Sequence, residues 1–100
     1  MSKQMNMLKK MQDAMTKIQA ELEHKTAEGT SGGGAVTVVI NGHLKVMSIT
    51  LNDEILEEPD KEMLEDLITA AVNNGIDKAQ EMIQQEMSKI TGGLPIPNLF

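Results

Sequence analysis

The sequence predicts an α+β protomer: a long projecting N-terminal helix, a small antiparallel sheet of three strands, and a long C-terminal helix. Two observations carry this. Apolar residues recur at helical spacing near both ends of the chain, and they alternate through a glycine-punctuated middle.

Helix one is predicted over about residues 2–24. Leu8, Met11, Met15, Ile18 and Leu22 fall in steps of three and four, the spacing of a narrow helical seam. Ser2 can cap the start, and no Gly or Pro interrupts the run. At 1.5 Å per residue such a helix spans roughly 30 Å and projects unless something covers its seam. A first strand over about 26–31 leads into Gly32-Gly33-Gly34, a turn signal. Val36, Val38 and Ile40 then alternate in a second strand, over about 35–41, which ends on the hairpin signal Asn41-Gly42. The return strand is expected over about 44–52. Leu44 and Val46 there fall out of parity with Met47, Ile49 and Leu51, which a bulge or a longer loop would reconcile. Val39 and Val46 are expected on the sheet face away from the core, which implies a sheet covered by a helix on one side and a second subunit on the other.

A final helix over about 60–90 follows from Met63, Leu64, Leu67, Ile68, Ala71, Val72, Ile76, Ala79, Ile83, Met87 and Ile90. Gly75 within it is the weak point and could mark a kink, since glycine inside a helix costs about 1 kcal/mol relative to alanine. Gly92-Gly93 stops the helix, and residues 92–100 read as an extended tail. The whole is one expected domain of 100 residues.

Composition narrows the function. Phe100 is the only aromatic residue, and nine Met join an otherwise aliphatic apolar set. Aromatic side chains usually carry much of a core's buried area, so a domain this small without them points to a homodimer. There is no Cys, hence no disulfide and no thiolate metal site. No apolar run is long enough to cross a membrane, and helix one carries no aromatic anchor for a membrane surface, so a cytoplasmic location is expected. His24 and His43 lie in no catalytic motif. The glycine run lacks the Lys-Ser/Thr of a phosphate loop and opens a strand instead of a helix. Neither an enzyme, nor a small-molecule substrate, nor a cofactor or metal is expected.

Charge is distributed unevenly. Four lysines against Asp13 alone give residues 1–20 a net charge of +3, while five lysines against fourteen carboxylates give residues 21–100 a net of −9. Eight of those carboxylates lie between Asp53 and Asp66, where they open a helix and interact favourably with its dipole. Lys3, Lys10 and Lys17 are spaced by seven and share one face of helix one, with Lys9 beside them and the apolar seam elsewhere. Such a stripe suits DNA phosphates, and it is also what ordinary solvation of a helix looks like. Lys78 and Lys89 on the last helix are further candidates. All nine basic residues are Lys, so contacts to DNA would be to the backbone, with little reading of base sequence. The alternative is a protein-recruitment module that docks a partner helix on the Met-rich seam without binding DNA.

Several segments, in order along the chain, resemble the YbaB/EbfC family of bacterial nucleoid-associated proteins. They are Met11-Gln12, Glu28-Gly29-Thr30-Ser31-Gly32-Gly33-Gly34 and Val36-Thr37-Val38-Val39-Ile40-Asn41-Gly42. Asp60-Lys61-Glu62-Met63-Leu64-Glu65-Asp66-Leu67, Ala70-Ala71-Val72-Asn73 and Met87-Ser88-Lys89-Ile90-Thr91-Gly92-Gly93-Leu94-Pro95-Ile96-Pro97 complete the set. The resemblance implies a tweezer-like α-β-β-β-α homodimer that binds double-stranded DNA, alters its conformation, and influences nucleoid organisation or gene expression.

Overall fold

The computed structural model describes residues 2–91, so the expected tail at 92–100 and the Gly92-Gly93 stop lie outside it. The elements run α1 (Ser2–Leu22), β1 (Thr26–Ser31), β2 (Val36–Asn41), β3 (Val46–Leu51), α2 (Glu54–Glu57) and α3 (Lys61–Thr91). The strands form one antiparallel sheet in the order β1-β2-β3. This is the α-β-β-β-α arrangement expected, with one extra helical turn, α2.

The core follows from strand alternation. Val36, Val38 and Ile40 point to one face of the sheet and are fully buried against Ala71 and Ala79 of α3. Each such aliphatic side chain contributes about 1.5–3 kcal/mol by leaving water. The helix lies across β1 and β2, and small residues let it come close. A Cβ at Gly29 would sit 2.2 Å from the Gly75 amide nitrogen and 2.3 Å from the Ala71 carbonyl oxygen. At Gly75, where a kink could fall, the helix continues without a break. It runs uninterrupted from Lys61 to Thr91, and Gly75 lies where β1 crosses it. Polar ties fix the contact: Thr30 N donates to Asn74 Oδ1 at 3.0 Å, and Ser31 Oγ donates to the Leu67 carbonyl at 2.6 Å.

Gly32, Gly33 and Gly34 all have positive φ (61°, 66° and 95°), so the turn from β1 to β2 needs residues without a Cβ. The second hairpin departs from the sequence expectation. Asn41 and Gly42 do not form a two-residue turn at positive φ. Asn41 Oδ1 instead accepts from the amides of His43 (2.9 Å) and Lys45 (3.1 Å), and Leu44 takes the left-handed conformation at φ 60°. The return strand consequently begins at Val46 instead of 44. Gly42 serves packing, since a Cβ there would meet Leu22 Cβ and the Leu22 carbonyl oxygen at 2.6 Å.

A bulge resolves the parity conflict. Val39 pairs with Ser48 and Ile40 with Val46, which leaves Met47 as the extra residue. This corrects one expectation. Val46 lies opposite Ile40 and shares the core-side face; only Val39 points to the other side, among Glu28, Thr30, Thr37, Ser48 and Thr50. Within the protomer, α3 covers β1 and β2 on one face, and β3 projects past it with Val46 and Ile49 each 46% exposed.

Candidate nucleic-acid interface

Helix α1 divides into an anchored half and a free half. Ile18 and Leu22 are 8% and 4% exposed and pack with Ile83 and Met87 of α3. The lower part of the predicted seam is thus filled within the chain, which removes Ile18 and Leu22 from the residues available to a partner. Leu8, Met11 and Met15 remain open, as do Met5 and Met7; the five are 40–65% exposed. The molecule measures 68 × 22 × 16 Å, consistent with a helix that projects from a thin body.

An ion cluster holds the base of this arm. Glu86 of α3 is buried and receives Lys25, which follows α1, and Lys89 one turn further along α3, at 3.1 and 3.2 Å. The hydrogen bond from Lys25, then the one from Lys89, hold the Glu86 carboxyl below its ordinary value, and the same Lys25–Glu86 bond raises the lysine. His43 adds a second tie, its Nε2 lying 2.9 Å from the Gln19 carbonyl oxygen near the end of α1.

Lys3, Lys9, Lys10 and Lys17 are all exposed on α1, and none makes an ion pair with another described residue. Lys10 and Lys17 follow Leu8 and Met15 by two positions, a rotation of about 200°, so the stripe faces away from the seam. Lys78 is exposed on α3, whereas Lys89 is bound to Glu86 and its charge is partly neutralised there. The acidic residues Asp53 to Asp66 lie on α2 and the start of α3. At 1.5 Å per residue they are roughly 30 Å along α3 from the residues that meet α1. Charge that is separated in sequence is therefore separated in space.

Residues 1–94 match the family model described as the YbaB/EbfC DNA-binding family. The chain belongs to that family. A nucleoid-associated protein of Pelotomaculum thermopropionicum is 52% identical to this YbaB/EbfC chain over 100 residues, covering 100% of the chain and 95% of the relative. Nucleoid-associated protein TTE0040 of Caldanaerobacter subterraneus subsp. tengcongensis is 52% identical over 98 residues, covering 95% and 88%. The crystal structure of the uncharacterized protein HP0035 from Helicobacter pylori has the same fold. It superposes with a TM-score of 0.76 at 24% identity, covering 92% of this chain and 97% of that one. Among the described residues of this YbaB/EbfC protein, no helix is long and apolar enough to cross a membrane, and no group of three or more His, Cys, Asp or Glu could hold a metal ion.

Sequence reasoning missed Lys25, Glu86 and the grouping of His24, His43 and Lys45 around one cavity of about 520 Å³. Lys25 and Glu86 are 61 positions apart, and no local pattern joins them. His24 carried a readable signal, for it continues the sevenfold spacing of Lys3, Lys10 and Lys17.

Proposed function

We propose that this protein is a nucleoid-associated protein of the bacterial cytoplasm that binds double-stranded DNA as a homodimer, mainly through phosphates and with little sequence selectivity. Through binding it alters DNA conformation and nucleoid organisation or gene expression. One observation carries the reading: a projecting helix bears exposed, unpaired lysines on the face opposite its apolar seam, far from the acidic end of the molecule. The naming of relatives as nucleoid-associated proteins supports it.

Lys3, Lys9, Lys10 and Lys17 are the phosphate contacts, with Lys78 a further one and Lys89 a weaker one, because Glu86 competes for it. A point-charge ammonium without guanidinium geometry binds the phosphate backbone and discriminates poorly among bases. The dimer contact falls on β3, the edge strand that α3 leaves uncovered. Its free backbone groups and the exposed Val46 and Ile49 are what a second copy would pair with and bury.

Changing Lys3, Lys9, Lys10 and Lys17 together to Gln tests the grip. Binding should weaken alike on every duplex and its salt slope should flatten, while the melting temperature stays unchanged; unaltered affinity would contradict the assignment. The open seam at Leu8, Met11 and Met15 favours a second reading, a recruitment surface for a partner helix. Met11→Asp with Met15→Asp tests it: on the recruitment reading this change abolishes capture of a partner protein while the dimer survives, and DNA affinity of the wild type is negligible even at low salt.

A further inference from the structure

Where the lysine stripe reaches the body, its spacing continues into a residue of another kind. Lys3, Lys10, Lys17 and His24 recur every seven positions. The chain keeps a helical course to His24, for the Glu21 carbonyl accepts from the amides of His24 (3.0 Å) and Lys25 (3.1 Å). His24 therefore extends the exposed basic face of α1 by one more step. The hairpin between β2 and β3 brings His43 and Lys45 to the same place. His24, His43 and Lys45 line one cavity with Glu23, Asn41 and Met47.

The backbone of this cavity is fixed. Asn41 Oδ1 holds the amides of His43 and Lys45, and Gly42 N donates to the carbonyls of Leu22 (2.8 Å) and Lys25 (3.0 Å). His43 is bound through Nε2 to the Gln19 carbonyl oxygen, which leaves Nδ1 for another partner. A positive ring at this point also suits the negative end of the α1 dipole.

We propose that His24, His43 and Lys45 form a proton-gated phosphate site at the base of α1, which lengthens the DNA-contacting lysine stripe when the imidazoles are charged. The proposal rests on the DNA-binding reading above. Imidazole is the side chain type that gains its charge between about pH 5 and 8, whereas a DNA phosphodiester stays ionised throughout that range. The charged groups around the two rings are few. Glu23 and Lys45 share the cavity, Glu21 lies one turn back on α1, and Lys25 beside His24 is engaged with Glu86. The α3 residues facing His43 are the uncharged Ile83 and Met87. With both rings neutral, Lys45 and Glu23 cancel; with both protonated, the cavity carries two net positive charges. Charging both rings would thus turn a neutral patch at the end of the basic stripe into a positive one.

The test measures binding of the full-length protein to two unrelated duplexes at pH 8.0 and pH 5.5, each across a salt series. The wild type should bind about tenfold more tightly at pH 5.5, a sum of several exposed ion pairs of ordinary strength. Its log–log salt slope should steepen by about 0.9 for each imidazolium that contacts a phosphate. In His24→Gln with His43→Gln the gain between pH 8.0 and pH 5.5 should disappear. Because His43 also ties the hairpin to α1, His24→Gln alone is the second variant. Its side chain makes no hydrogen bond among the described residues, so it should keep its melting temperature and lose about half the gain. Equal pH response in the wild type and both variants would overturn the site while leaving the DNA-binding reading intact. Failure of the wild type to bind either duplex at both pH values would overturn that reading, and the site with it.

Discussion

Gly29 and Gly75 form one contact from opposite sides, yet they differ in what a methyl group would strike. At Gly29 a Cβ collides with helix backbone within 2.2–2.5 Å, where nothing flexible can yield. Gly29→Ala should therefore cost about 3 kcal/mol in denaturant unfolding, the upper end of ordinary overpacking. At Gly75 the nearest atom is Ile40 Cδ1 at 2.9 Å, the end of a flexible side chain. Alanine there also gains about 1 kcal/mol of helix propensity, so Gly75→Ala should change stability by less than about 1 kcal/mol. The sequence marked Gly75 as a weak point through propensity alone; its packing role depends on a strand more than forty positions away and has no local signature. Glu86 teaches the same lesson. Its carboxyl is held down by Lys25 and Lys89, so the ionised form stabilises the fold at pH values above the ordinary carboxylate range. That contribution fades as pH falls through and below that range. Glu86→Gln should lower the melting temperature at pH 7, and the gap to wild type should close toward pH 3.

Strand identity was readable at the level of elements, and so was the facing of β2, but that of β3 was not. The alternation of Val36, Val38 and Ile40 announced β2 and its buried face, and the glycine run announced the turn before it. The bulge at Met47 was foreseen only as one of two ways to repair the parity of β3, and without its position Val46 is assigned to the wrong side. The four residues of α2 were too few to show a period. For α1 the periodicity gave the helix and its seam, but not the point at which α3 stops covering it. That boundary falls between Met15 and Ile18. If β3 is the dimer edge, Ile49→Lys should give a monomer in sedimentation equilibrium with unfolding stability per chain little altered by local burial, since Ile49 is already half-exposed. A dimer that survives this change would place the contact elsewhere, with the open seam of Leu8, Met11 and Met15 the next surface to alter.

For the molecule as a whole, net charge is a poor guide and its distribution a good one. A chain of formal charge −6 can still grip a polyanion when its lysines project on one arm and its carboxylates sit at the far end of another helix. That polarity was visible in the sequence; that the two ends are held apart became visible only with the unbroken run of α3 from Lys61 to Thr91. The most direct measurement is a salt titration of binding to two duplexes of unrelated sequence. The account predicts similar affinities for both and a log–log slope of about −4 to −7, as expected for four to eight phosphate contacts shared by two arms. A slope near zero, or strong preference for one duplex that persists at high salt, would contradict it.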